Sequence, residues 1–156
     1  MHRRLTFAVA LILVCIAIPA SGQEGHGKSL QFRDLPEAVR STVQRNLNGA
    51  RIKHIGKEKE DGVEQYEIET LVNGHARDFN VDLTGKLLVT EEATSIEKIP
   101  AAARAAIMKK VGGGKLTTVE TFAKPGQALM YEAGYKDAKG TGHEVLVHAD
   151  GTEAKS

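Results

Sequence analysis

The chain contains no tryptophan, and only three tyrosines and four phenylalanines stand among its 156 residues. So few aromatic rings argue against a base-stacking platform for single-stranded nucleic acid. Cysteine is scarcer still. The single one, Cys15, lies in an apolar stretch near the N-terminus, so residues 23–156 offer no disulfide, no catalytic thiol and no cysteine ligand for a metal. A charge excess is lacking too, with 21 Lys and Arg against 20 Asp and Glu. That balance gives no support to the basic surface a nucleic-acid backbone calls for.

Long hydrophobic runs are also absent. The longest, "LTFAVALILVCIAI" at 5–18, falls short of the roughly 20 residues of a membrane-spanning helix. It follows the positive start "MHRR" and precedes the small residues "PASG", the pattern of a secretory signal, with cleavage expected between Gly22 and Gln23. Val14, ahead of Cys15, is not the small residue that lipoprotein processing takes. Cleavage removes two of the 21 basic residues, Arg3 and Arg4, leaving 19 against 20 acidic ones and a net charge of −1. Residues 23–31, "QEGHGKSLQ", are small and polar and read as a flexible leader.

What is present is a phrase written twice. "LPEAVRSTVQRNLNGARIKHI" at 35–55 aligns without gaps on "IPAAARAAIMKKVGGGKLTTV" at 99–119, sharing Pro36/Pro100, Ala38/Ala102, Arg40/Arg104 and Gly49/Gly113. Leu35, Val39, Val43 and Leu47 fall on one face at helical spacing, as do Ile99, Ala103, Ile107 and Val111. Asp34, with Glu37 three residues on, reads as a capping box, and "NG" at 48–49 and "GGG" at 112–114 read as helix stops. After each helix the period changes from 3.6 to 2. "DG" at 61–62 and "NG" at 73–74 signal two-residue hairpins, and "TG" at 84–85 a further turn.

The "NG" turn pairs Val72 with His75, Thr70 with Arg77, Ile68 with Phe79 and Tyr66 with Val81, which gathers the apolar pairs on one face. These patterns predict an α+β fold of two tandem units, each a helix followed by three or four antiparallel strands, with the helices packed on one sheet face. The expected division is 32–95 and 96–156. A unit of this size alone is marginal, so the two are expected to pack together.

The same register turns His54, Glu67, Glu69, Leu71, Asp78 and Asn80 to the face away from the helices, with Ile52 beside His54. His54, Glu69 and Asp78 fall in one row. Adjacent carboxylates on paired strands repel, so a cation is expected there, and a protonated His54 is the candidate. These six residues form the candidate partner-binding surface.

Other motifs resolve into structure. "GGGK" at 112–115 follows a helix and precedes a strand, the reverse of a phosphate-binding loop. His26, His54, His75, His143 and His148 show no helical metal spacing, and "EGH" at 24–26 would chelate copper only if cleavage fell after Gln23. "GKEKEDGVEQ" at 56–65 reads as a solvated hairpin tip. No nucleophile elbow or paired-carboxylate motif appears. The chain therefore reads as no enzyme, with no cofactor and no bound metal.

The Leu-Pro helix start at 35–36, Gly-Ala-Arg-Ile at 49–52, Tyr66-Glu67 and the Asp82-x-x-Gly85-Lys86 turn together resemble a PepSY-like unit. The stretch from "IPAAARAAI" to "LVHADGTE" resembles a more diverged second one. The resemblance covers nearly all of 32–154. It implies an exported protein with a fold like that of the β-lactamase inhibitory protein, presenting a sheet to a partner and restraining a peptidase or other envelope enzyme. Interface hot spots are rich in Trp, Tyr and Arg, and with no Trp here the implied role is a general binding module rather than a β-lactamase inhibitor. The function expected is thus an exported binding or inhibitory module, periplasmic or extracellular, with a protein or peptide partner in the cell envelope. The alternative is a small-ligand or metal-binding envelope protein.

Overall fold

The structure, a computed structural model, describes residues 29–60 and 62–155. The expected signal segment and residues 23–28 of the leader lie outside the described residues. The chain forms a 3-10 turn, Phe32–Asp34, then helix α1 (Glu37–Leu47) and strands β1 (Arg51–Glu60), β2 (Val63–Val72), β3 (His75–Asp82) and β4 (Leu87–Ala93). Helix α2 (Ala101–Val111) follows, then β5 (Lys115–Ala123), β6 (Met130–Lys136) and β7 (Gly142–His148).

The strands do not divide into two helix-plus-sheet units, and this corrects the expected fold. All seven form one antiparallel sheet in the order β1-β2-β3-β4-β5-β6-β7. The join is β4 against β5, from Thr90 opposite Ala123 to Ala93 opposite Glu120. Unpaired strand edges expose backbone donors and acceptors. Pairing β4 with β5 satisfies two such edges at once, and α2 connects them across one face.

The hairpins follow their turn residues. Glu60 faces Val63, and Val72 faces His75, with Ile68 opposite Phe79 and Tyr66 opposite Val81. Asn73 and Gly74 both take positive φ, the backbone of a two-residue hairpin turn whose twist matches the strands.

The first helix starts differently from the sequence reading. Pro36 occupies its N-cap and Asp34 belongs to the preceding 3-10 turn, where its Oδ2 accepts the Gln31 N–H at 2.9 Å. Proline fixes φ in the helical range and has no N–H to leave unsatisfied, so the helix begins directly after it. Pro100 does the same for α2. Asn48, with φ of 45°, ends α1, and Gly112 ends α2 with its N–H donated to the Met108 carbonyl.

Both helices cover the same sheet face. Val39 and Val43 of α1 pack with Leu35, Ile55, Ile68 and Phe79 between the helix and the sheet, each at most 2% exposed. Leu30 packs against this cluster and donates its N–H to the Ile55 carbonyl. Ala103 and Ile107 of α2 likewise pack with Ile99, Val119, Ala133 and Val147 between that helix and the sheet. Gly85 and Gly151, both at positive φ, bring the turns after β3 and β7 against the first turn of each helix. Among the described residues, no helix is long and apolar enough to cross a membrane.

Candidate functional site

Among the described residues three bulges shape the face away from the helices, one of them where Asn80 and Val81 of β3 pair with Val89 and Leu87 of β4. Pairing slips between Ile52 and His54 in β1, and between Leu116 and Thr118 in β5. A bulge places two residues opposite one and reverses which face the chain beyond it presents. Ile52, expected beside His54, therefore pairs with Thr70 and packs under α1. Leu116 packs under α2 for the same reason.

The six expected residues fall as follows. His54 faces Glu69, Glu67 faces Asn80, Leu71 lies between Arg51 and Ala76, and Asp78 faces Glu91. An ammonium does reach this row, from Lys53: its Nζ lies 3.5 Å from Glu69 Oε2. Lys53 is the bulge residue itself, a position that strict alternation would have turned toward the helices. Asp78 Oδ1 accepts the Thr70 N–H at 2.7 Å. Burial raises the Asp78 pKa, against that hydrogen bond and Lys53, and Glu69 adds to the rise.

The face continues across β4–β7 with residues that the sequence reading did not select. Val89, Phe122, Met130 and Leu146 are 3–6% exposed and pack on one another with Ala154 against them, and among the described residues no helix lies above them. Phe122 faces Glu91 on one side and Met130 on the other. Around this patch stand Glu91, Glu120 and Glu132. Burial, then Glu132, Glu120, Asp78 and Glu60, push the Glu91 carboxyl up to about 8. Burial, then Glu144, Glu120 and Glu60, push Glu132 up to about 7, and Lys124 opposes that rise. Glu120 is raised by burial, Asp78 and Glu144. Two carboxyls on this face thus titrate near neutrality, held there by poor solvation and like charge.

At the end of the face near Gly62 and the 124–129 turn lies a cleft of about 300 Å³. Val89 and Phe122 form part of its lining, with Glu60, Gln65 and Glu91 alongside and Lys124 at the turn. Gln65 is 3% exposed, its Nε2 donating to Glu58 at 2.9 Å and to Glu60 at 2.7 Å. Lys124 Nζ lies 5.2 Å from the centre of the Phe122 ring, a cation–π arrangement. Among the described residues, no group of three or more His, Cys, Asp or Glu is placed to hold a metal ion.

A signal for this patch was present in the runs "LLV" at 87–89 and "VLV" at 145–147. Three consecutive apolar residues in a strand put apolar surface on both faces. Val145 and Val147 lie beneath α2 while Leu146 faces the other way.

The architecture matches that of several solved structures. A DUF2874 family protein from Bacteroides ovatus aligns with a TM-score of 0.60 and 14% identity, over 78% of this chain and 85% of its own. A Bacteroides eggerthii protein provisionally assigned to the periplasm aligns with a TM-score of 0.62 and 13% identity, over 78% and 86%. A BLIP-like protein from Bacteroides fragilis aligns with a TM-score of 0.57 and 17% identity, over 78% and 84%. At these identities the likeness establishes the fold, which is BLIP-like. No family model matches the chain, and no curated protein matches it.

Proposed function

We propose that this chain is an exported, non-enzymatic module that binds, and by binding restrains, a protein partner of the cell envelope through its helix-free sheet face. The observation that carries this reading is the cleft in this face, where Val63, Leu87 and Leu88 stand among Glu60, Glu91 and Lys124 beside the buried cluster of Val89, Phe122, Met130 and Leu146, with no helix above it among the described residues. Apolar centres ringed by polar groups are the usual anatomy of a protein interface. The BLIP-like fold and the secretory pattern of residues 1–22 support the same reading, as does the PepSY-like resemblance of the segments 32–95 and 96–156. His54, Glu67, Glu69, Leu71, Asp78 and Asn80 form one flank of this surface.

Site-specific photo-cross-linking in the native envelope tests it. A cross-linker at Asn80 should capture a discrete protein, and one at Arg104, on α2, should not. Glu69→Ala with Asp78→Ala should weaken capture while the fold is retained. Equal capture from both positions, or capture unaltered in the double variant, would remove this surface from consideration. The cleft favours a second reading, a small-ligand protein. Native mass spectrometry showing a stoichiometric organic molecule on the protein purified from its own cells would favour that alternative.

A further inference from the structure

The apolar patch and the cleft beside it specify the chemistry of an occupant. Every charged neighbour that raises Glu91 or Glu132 is itself a carboxylate, drawn from β1, β3, β5, β6 and β7. The cation that opposes the Glu132 shift, Lys124, comes from the turn after β5 and also stands over the Phe122 ring. Gly126 follows at φ of +78°, and residues 125–129 are exposed. A lysine at the mouth of such a turn is replaceable at little structural cost.

We propose that the cleft takes an arginine side chain from an extended, otherwise apolar segment of the partner, its guanidinium displacing the Lys124 ammonium over Phe122 and lying against Glu91, with Glu132 farther along the same face. This rests on the reading that the helix-free face binds a protein. Arginine fits better than lysine because its planar fork both stacks on a ring and engages carboxylates in pairs, and it is more weakly hydrated. Apolar residues beside it would meet Val63, Leu87 and Leu88, which line the cleft. An anionic segment would add charge to a face that already crowds carboxylates. Glu91 must lose its proton to receive the guanidinium, and Glu132 farther along the face adds its own charge as it ionises, so binding strengthens as pH rises.

The test is an NMR titration of the protein with three acetylated, amidated tripeptides: Leu-Arg-Leu, Leu-Gln-Leu and Leu-Asp-Leu. The arginine peptide should shift amides of Val89, Glu91, Phe122, Met130 and Glu132, and bind roughly tenfold more tightly than the aspartate peptide, as a charge-assisted pair implies. Its affinity should increase between pH 6 and pH 9. Lys124→Ala should tighten binding by vacating the ring. Glu91→Gln with Glu132→Gln should erase both the arginine preference and the pH dependence, and because it removes like-charge repulsion it should keep the fold. Equal affinity for the glutamine peptide at this face would overturn the arginine assignment and leave the binding face standing. Shifts centred elsewhere, or weaker binding in Lys124→Ala, would also overturn it. If no peptide perturbs the face, the assignment falls, and a missing cross-link at Asn80 would then take the proposed function with it.

Discussion

Gly85 rests on the first turn of α1: a Cβ placed there would lie 2.7 Å from the carbonyl oxygen of Ala38. Gly151 bears the same relation to Ala102, also at 2.7 Å, and both glycines sit at positive φ. Each helix is thereby held against the turn that follows β3 or β7. In α1 a hydrogen bond from Thr42 Oγ1 to the Gly85 carbonyl, 2.6 Å long, fastens the same contact.

Substitution at these turns should therefore cost more than backbone strain alone. A non-glycine residue at positive φ costs on the order of 1–3 kcal/mol. Gly49, at φ of +82° with no neighbour within 4 Å of where a Cβ would stand, isolates that strain. Gly85→Ala and Gly151→Ala should each destabilise more than Gly49→Ala, by about 1–2 kcal/mol further, as overpacking does. Equal losses in urea melts at all three positions would mean that the helix contact adds nothing.

Phe79 is 1% exposed beneath α1, whereas Glu67 lies on the opposite face. Phe79→Ala should cost roughly 3–5 kcal/mol through lost burial and the cavity left behind. Glu67→Ala should stay within about 0.5 kcal/mol. Reversed sensitivities in chemical denaturation would contradict the register of β2 on β3.

Stability should fall as the solution turns alkaline. The raised pKa values of Glu91 and Glu132 mean that the folded chain holds protons the unfolded chain has released, so folding weakens with rising pH. The contribution is complete below the ordinary carboxylate value of 4.5 and is lost as pH passes about 7 for Glu132 and about 8 for Glu91. Asp82, Asp137 and Asp150 work in the opposite direction. Hydrogen bonds, from Thr84 and Lys86 to Asp82, from His143 and Thr141 to Asp137, and from Thr152 to Asp150, lower their pKa values, so stability also declines when acid protonates them. The urea midpoint should therefore peak in mild acid and drop toward pH 8.5, with Glu91→Gln flattening the alkaline side. A midpoint that climbs toward pH 8.5 would contradict the crowding of carboxylates on this face.

One sheet should melt as one unit. Because β4 pairs with β5 and Val89 packs with residues of β5, β6 and β7, the two ends of the molecule are mechanically joined. Phe122→Ala should accelerate hydrogen exchange in β2 as well as in β6. Faster exchange confined to β5–β7 would show that the halves open independently.

Local physics made much of this chain legible in its sequence. The spacing of Val39 and Val43, the prolines before each helix and the Asn73-Gly74 turn act within a few residues of themselves, so helices, hairpins and the Ile68–Phe79 register could be read directly. Flank residues such as Glu67 and Asn80 followed from that register. The remainder depended on contacts between distant segments. No local signal announces that β4 will pair with β5 across a helix, since neither strand carries a turn residue that names its partner. The bulges at Lys53 and Thr117 reverse a face without any mark in composition, which is why alternation alone puts Ile52 on the wrong face and passes over Lys53. Glu91, Phe122 and Glu132 look like ordinary strand residues in the chain. Only the tertiary structure brings them together, and their shared desolvation and repulsion exist only once the strands β4 to β6 stand side by side.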